Sequence, residues 1–168
     1  MEYSVIFSKR KTISISVNKG CVVVKAPFGT DRKTIEEILL KHSKWIDKHL
    51  ILQKKKEALT SGLTDQDIKE IKKKARIYFK EKTEYYASIM GLKYGRITIT
   101  SAQKRFGSCS SEGNISYSYR LMLYPEAARE YVVVHELAHL KEMNHSSKFY
   151  SIIEKILPDY KARKRLLK

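Results

Sequence analysis

Cysteine is scarce in this sequence, and long hydrophobic runs are absent. The two cysteines, Cys21 and Cys109, lie far apart and outside any C-x-x-C pair, which excludes a disulfide framework and favours a reducing, intracellular compartment. No apolar stretch approaches the roughly 18 residues of a transmembrane helix, and the N-terminal residues lack the apolar segment of a signal peptide. We therefore expect a cytoplasmic protein with no membrane partner.

Acidic residues are also few. The chain has 18 Asp and Glu against 34 Lys and Arg, which gives a formal net charge of +16. A surplus of this size indicates an anionic partner, such as a nucleotide, a nucleic acid or an acidic protein. However, 25 of the basic residues are lysines, and they are spread along the whole chain. An ordinary solvated surface explains that distribution equally well, so composition alone leaves both interpretations open.

The first 60 residues are predicted to form a β-hairpin followed by a helix. Apolar and polar residues alternate in KTISISV, and CVVVKAP is a second strand that ends at Pro27. The turn between them falls on residues 18–20, and YSVIF is a candidate for a further strand. A helix then begins at Thr30 or Asp31 and continues to the SGLTD segment. We expect residues 1–60 to form a small domain that packs on the rest of the chain.

The remaining residues, 61–168, combine long helices with short alternating strands. A second long helix begins at Thr64 or Asp65 and ends at Gly91. Strands return in RITITSA and NISYSYRLML, with the polar loop QKRFGSCSSEG between them. Two further helices follow, one opened by Pro125 and one capped by a serine of HSSK. This arrangement predicts an α+β fold with a mixed or antiparallel sheet.

The helix after Pro125 contains VVVHELAHLKEMNH, which places ionisable groups in an apolar segment. His135 and His139 are four residues apart and lie on one face of the helix, with Glu136 beside that face. Burying these groups without partners would cost on the order of several kcal/mol, and a divalent metal ion supplies the missing partner. The H-E-x-x-H pattern therefore predicts that the two histidines bind Zn²⁺. Glu136 is then the general base that accepts a proton from zinc-bound water.

A catalytic zinc site needs a third protein ligand and an open fourth position. His145 lies six residues beyond His139, and a continuous helix would carry it about 9 Å along the axis, out of reach. The chain must therefore leave the helix between them, and Asn144 tolerates the left-handed conformation of such a turn. Glu142, one turn past His139, is the competing ligand. His145 is favoured because an imidazole completes the site without adding negative charge.

Two segments, HELAHLKEMNH and RFGSCSSEGNISYSYRLMLYP, together resemble the YgjP-like zinc metallopeptidases, relatives of the SprT-like group. The N-terminal KTISISVNKGCVVVKAP and KHSKWI are also similar to the front half of that family, so the resemblance covers nearly the whole chain. It implies a zincin-like active-site helix and a zincin-like metallopeptidase core over residues 61–168. It also implies zinc-dependent peptidase activity, the ligands His135, His139 and His145, and Glu136 as the base.

Two departures from the family pattern precede this helix. Phe106 stands where the family usually has tryptophan before GSC, and Ser118 and Tyr119 stand where it usually has Asn-Trp before Arg-Leu. Both changes keep an aromatic or small polar residue, so we expect them to affect substrate preference and not the fold. The ligand spacing also resembles that of metzincins, but Glu142 replaces their glycine and no methionine follows His145, which argues against membership of that group.

The sequence favours a peptide or protein substrate whose extended chain pairs with the NISYSYRLML strand. Four residues are candidates for contacts with the substrate or the oxyanion: Arg105, Tyr117, Tyr119 and Arg120. Two alternatives remain open at this point. The same metal site on a basic surface suits a nucleoside triphosphate pyrophosphohydrolase. The lysine runs and the KARKRLLK tail suit a nucleic-acid-associated protein with a zinc site and weak electrostatic binding.

Overall fold

The computed structural model describes residues 2–18 and 20–167. These residues form two compact units, with the boundary between Ser61 and Gly62. The described residues include six α-helices, one 3₁₀ helix and two three-stranded mixed sheets, which confirms the predicted α+β class. None of the described helices is both long and apolar enough to cross a membrane.

The first unit consists of a three-stranded sheet and two helices. Its elements are β1 (Tyr3–Ser8), β2 (Ser14–Asn18), β3 (Cys21–Pro27), α1 (Arg32–Lys41) and α2 (Ser43–Ala58). The antiparallel pair of β2 and β3 confirms the predicted hairpin, although Lys19 of its predicted turn lies outside the described residues. β1 pairs in parallel with the other side of β3, so β3 is the central strand.

The single helix predicted after this hairpin is two helices, which meet at His42. Asp31 caps the first of them, because its side chain accepts a hydrogen bond from the Thr34 N–H. Leu39 and Ile46, on either side of the break, are both buried in the core of this unit. The prediction of one helix was wrong because the apolar spacing continues past His42 and neither glycine nor proline marks the break.

The second unit combines a small sheet with four α-helices. Its elements are α3 (Asp65–Met90), β4 (Ile97–Thr100), β5 (Gly107–Cys109), β6 (Ile115–Ser118), a 3₁₀ helix (Tyr119–Leu123), α4 (Glu126–Ala138), α5 (Ser147–Ile156) and α6 (Tyr160–Arg165). α3 begins and ends as predicted. Thr64 and Asp67 form a capping box at its start, and Gly91 ends it with a φ of 61°.

β6 is the central strand of the second sheet, with β4 parallel on one side and β5 antiparallel on the other. The strand predicted over NISYSYRLML was too long, because β6 ends at Ser118 and the chain continues as the 3₁₀ helix. The Ser118 hydroxyl donates to the Ala102 carbonyl and accepts from the Arg120 N–H, which turns the chain. The alternation of apolar and polar residues does not reveal where β6 ends, because Tyr119 and Leu121, which follow it, are also buried. Conversely, β5 lies in a segment predicted to be a loop.

α4 lies at the centre of the second unit. It contacts α3, α5, α6, β5 and the 3₁₀ helix. Its side chains at residues 131–134 and 136–138 are buried. The surrounding core includes Phe79, Tyr117 and Phe149, which are fully buried. A helix packed on so many sides holds its side chains in defined positions, which a metal site requires.

Glu130 links α4 to two neighbouring helices through ion pairs. One carboxylate oxygen accepts a hydrogen bond from Lys82 of α3 at 2.6 Å, and the other accepts one from Arg163 of α6 at 2.7 Å. Burial alone would raise the pKa of Glu130, but the hydrogen bonds from both cations outweigh it and leave that pKa below its ordinary value. The network therefore stabilises the folded state at neutral pH.

Replacing Glu130 by glutamine is expected to lower the free energy of unfolding by roughly 2 kcal/mol at neutral pH, because two partly buried cations lose their carboxylate. The folded-state pKa of Glu130 is depressed, so this contribution is present above the ordinary carboxyl pKa of 4.5 and is lost as the pH falls through the lower, folded-state value. Urea unfolding of both proteins at a series of pH values measures the difference.

Glu84→Gln is the matched control for this experiment. The pair of Glu84 with Lys80 spans 3.9 Å and is mostly exposed, so its loss should change the free energy of unfolding by less than about 0.5 kcal/mol. Equal effects of the two substitutions would contradict the role assigned to Glu130.

Candidate metal centre

His135 and His139 reach the site from the C-terminal end of α4. The helix ends at Ala138, and His139 is its C-cap residue. The next turn is tight, because the N–H groups of Lys141 and Glu142 both donate to the Ala138 carbonyl. The chain therefore leaves the helix before residue 145, as the spacing of the histidines predicted.

Three imidazole rings converge at this turn. The ligand nitrogen atoms of His135, His139 and His145 all lie within 4.8 Å of one another. The Nε2 atoms of His135 and His145 are 3.1 Å apart. Phe149, which is fully buried, packs against all three rings with centroid distances of 4.6 to 4.9 Å. The three rings are thus packed against one buried apolar side chain, and their ligand nitrogen atoms lie close together.

The other ring nitrogens of the two helical histidines have partners of their own. His135 Nδ1 lies 3.4 Å from the Tyr131 hydroxyl, and His139 Nδ1 lies 3.2 Å from the Glu142 carbonyl. A proton on each Nδ1 leaves Nε2 with its lone pair toward the cluster. Glu142, the competing ligand in the sequence, thus contacts the site through its backbone, and its side chain is not part of the three-histidine group.

Burial keeps these imidazoles uncharged. It lowers the pKa of His135 to about 3, with further contributions from the neighbouring His139 and His145. Burial is also the main cause of the lowered pKa of His139. Neutral imidazole is the form that binds a metal, so at neutral pH protons compete only weakly for these two nitrogens.

Glu136 points to the sheet side of α4 and is 5% exposed. Burial raises the pKa of its carboxyl to about 8, and the positive charge of Arg105 opposes this rise. Arg105 itself is exposed, in the loop that leads to β5. The structure thus brings this arginine, one of the residues singled out in the sequence, into electrostatic contact with Glu136.

Gly107 allows β5 to lie directly against Glu136. A Cβ atom built on Gly107 would stand 2.5 Å from Glu136 Oε1 and 2.7 Å from its Cγ, which is far closer than van der Waals contact. Ser108, the next residue, points to the other face of the strand, where its hydroxyl lies 2.8 Å from that of Ser116. In the sequence Gly107 lies in a segment predicted to be a polar loop, and its contact with Glu136 could not be predicted, because a close approach between distant segments leaves no local signal.

The YgjP-like metallopeptidase domain profile matches residues 11–69 and 52–168 of this chain. The chain belongs to the YgjP-like metallopeptidase family. No curated protein matches it at a significant level. Among solved structures, the metallopeptidase zymogen abylysin of Pyrococcus abyssi is similar, with 26% identity and a TM-score of 0.48 over 52% of this chain and 89% of that one.

Family membership confirms the resemblance seen in the motifs. A YgjP-like metallopeptidase is a hydrolase that acts on peptides and works with a metal ion. Within the described residues, the three-histidine group of α4 and the following turn could hold such an ion.

Two of the other residues singled out in this YgjP-like chain, Tyr117 and Tyr119, are buried. Tyr117 is fully buried, stacks on Phe79 and has its hydroxyl 3.0 Å from that of Thr83, so it is a core residue. Tyr119 is 3% exposed and lies in the 3₁₀ helix, where Arg120 packs on its ring. Tyr117 lies within β6, whereas Tyr119 and Arg120 lie beyond its end at residue 118, and contacts of these residues with a substrate stay a prediction.

The Gly107→Ala variant is expected to lose peptide hydrolysis by roughly 10- to 100-fold while it still binds metal. The added methyl group would displace the carboxylate of Glu136, which the sequence predicts to be the general base, and a shift of about 1 Å in a general base costs up to about 100-fold in rate. Ser108→Ala, which changes the opposite face of the same strand, should retain most activity. Peptidase assays, metal analysis and circular dichroism of both variants test this, and full activity of Gly107→Ala would contradict it.

Proposed function

We propose that this protein is a zinc-dependent peptidase in which His135, His139 and His145 hold the ion and Glu136 is the general base. The observation that carries the proposal is the convergence of three imidazole ligand atoms within 4.8 Å of one another, beside a buried carboxylate on the same helix. The H-E-x-x-H spacing supports the same assignment.

The donor set suits zinc. Imidazole nitrogen is a preferred ligand of Zn²⁺, and three protein ligands leave the fourth position of a tetrahedral site for the reaction. The 3.1 Å between the Nε2 atoms of His135 and His145 is close to the roughly 3.4 Å expected between two tetrahedral ligands about 2.1 Å from zinc. The partners of Nδ1 in His135 and His139 supply the orienting contacts that metal-bound histidines usually have.

Bound zinc supplies Lewis acidity, which polarises a peptide carbonyl and makes water easier to deprotonate. Glu136 accepts the proton of the attacking water and then donates a proton to the leaving amine. Its raised pKa suits both steps, because a carboxyl that titrates near neutral pH releases a proton as readily as it takes one. Arg105 favours the ionised form and so keeps the base available.

β5 is the strand best suited to bind an extended peptide. The sequence suggested the strand over NISYSYRLML for this role, but β6 already has a neighbour on each side. β5 lies at the edge of the sheet, and among the described residues it pairs only with β6. An edge strand has unpaired backbone groups that an added strand can use.

The register of β5 supports this choice. The Phe106 carbonyl accepts a hydrogen bond from the Ser118 N–H at 2.7 Å, so residue 106 faces β6. In an antiparallel pair the next residue then directs its backbone groups the other way, which places those of Gly107 and Cys109 on the free edge. A peptide bound there would lie alongside Glu136, since Gly107 is in contact with that side chain.

All of these residues lie in the second unit. We therefore assign the peptidase core to that unit, predicted from the sequence as residues 61–168, and treat residues 1–60 as a separate small domain. A peptide substrate follows from the family, whereas no observation favours the nucleotide or nucleic-acid alternatives.

The Glu136→Gln variant should bind zinc as the wild type does and lose peptide hydrolysis by at least about 100-fold, because glutamine cannot accept the proton of water. Metal analysis after dialysis and hydrolysis of an unfolded protein substrate measure the two properties. Hydrolysis at the wild-type rate by the zinc-loaded variant would refute Glu136 as the base.

His145→Ala should weaken zinc binding by about 100-fold or more, because the site loses one of three ligands. Glu142→Gln is the matched control, since it alters the competing ligand but leaves the backbone carbonyl that contacts His139. Competition with a zinc chelator gives both affinities. If Glu142→Gln lost zinc and His145→Ala kept it, the third ligand would be Glu142 and our assignment would be wrong.

A further inference from the structure

A concave site lies close to the histidine cluster. It is a cavity of about 370 Å³ lined by Tyr150 of α5 and by Tyr160, Lys161, Lys164 and Arg165 of α6, and we call it the cationic pocket. The lysines and the arginine are exposed, whereas Tyr160 is buried and forms part of its base. The pocket therefore combines a partly buried aromatic surface with exposed positive charges.

The pocket adjoins the proposed zinc ligands. The ring of Tyr150 lies 6.3 Å from the ring of His145, centroid to centroid, and the two are nearly parallel. Tyr160 stacks on Tyr150 at 5.9 Å, so the aromatic surface continues from the histidine cluster into the pocket. A substrate held at the histidines would thus extend across Tyr150 to reach these cations.

The pocket cations have no carboxylate partner among the described residues. Lys164 Nζ donates to the Tyr150 hydroxyl at 3.5 Å and lies 5.2 Å from the centre of that ring. Lys161 lies over the ring of Tyr160 in the same way. Arg163, on the same helix, is by contrast neutralised by Glu130 and Asp159. The positive charge next to the metal centre is therefore available to a ligand.

We propose that the cationic pocket binds a carboxylate of the peptide substrate and so gives the enzyme a preference for acidic peptides. The carboxylate belongs either to an Asp or Glu side chain near the cleaved bond or to the C-terminus of the peptide. This inference rests on the proposed peptidase function. A single small cavity beside the cleavage site fits one carboxylate better than a nucleic acid, which needs a track of cations along its backbone.

Binding is measured without turnover, on the zinc-loaded Glu136→Gln protein, by fluorescence anisotropy of labelled peptides. One peptide series differs only by Glu against Gln at each position around the cleaved bond, and a second differs only by a free or an amidated C-terminus. We expect one acidic peptide to bind about 5- to 10-fold more tightly than its neutral partner. The series that shows the preference identifies the source of the carboxylate, and added salt should reduce it.

Lys164→Gln, made in the same background, should reduce the preference to less than about 2-fold. Arg165→Gln is a second variant of the pocket and should reduce it in the same direction. Lys74→Gln is the matched control, because it removes the same charge from an exposed position of α3 that does not line the pocket. It should leave the ratio of acidic to neutral peptide binding unchanged.

Equal binding of acidic and neutral peptides in both series would overturn the proposal. A preference for acidic peptides that persists in both Lys164→Gln and Arg165→Gln would also overturn it. The same holds if Lys74→Gln abolishes the preference as fully as the pocket substitutions do. Pocket-dependent binding of a labelled oligonucleotide without any preference among peptides would assign the pocket to nucleic acid instead. Hydrolysis of the peptides by the wild type is measured separately. A binding preference for acidic peptides without any hydrolysis would support the cationic pocket and refute the peptidase function. Hydrolysis without a binding preference would support the peptidase function and refute the role of the pocket.

Discussion

The second unit depends on the burial of ionisable groups in the helix that forms its centre. α4 is packed on nearly all sides, yet it carries a half-buried imidazole, that of His135, and a buried carboxyl group, that of Glu136. Removal from water destabilises charge, so the same cause lowers the pKa of His135 to about 3 and raises that of Glu136 to about 8. Burial therefore favours the uncharged form of both side chains, which reduces the cost of packing them against the rest of the unit.

Two local features then convert this helix into a site. The first is its end at Ala138, after which a tight turn brings His145 back to the helix and against Phe149. The second is Gly107, which lets an edge strand approach the buried carboxylate to a distance that no side chain would permit. Either feature alone would leave a histidine pair or a buried acid, and only their combination places three imidazoles, a buried carboxyl group and a free strand edge together.

The sequence predicted the elements whose signals are local. The capping box at Thr64, the glycine stop at Gly91 and the spacing of the H-E-x-x-H helix all depend on neighbouring residues. The sequence did not predict the break between α1 and α2 at His42 or the end of β6 at Ser118. In both places the pattern of apolar residues continues, because buried residues follow the end of the element. Contacts between distant segments were also hidden, since neither the approach of β5 to the helix nor the cationic pocket leaves a periodic pattern in one stretch of chain.

The positively charged residues near α4 fall into two groups, those in ion pairs and those without an ion pair. The cations that hold the helix in place, Lys82 and Arg163, are neutralised by Glu130, so they add stability and little external field. Arg105 and Lys164, on the loop before β5 and on α6, have no such partner among the described carboxylates, and both act electrostatically on residues of the site. The cations that anchor the helix are thus neutralised, whereas those near the proposed site form no ion pair among the described residues. In the proposed peptidase, an anionic group on the substrate, or negative charge that develops during hydrolysis, would be stabilised by these two cations.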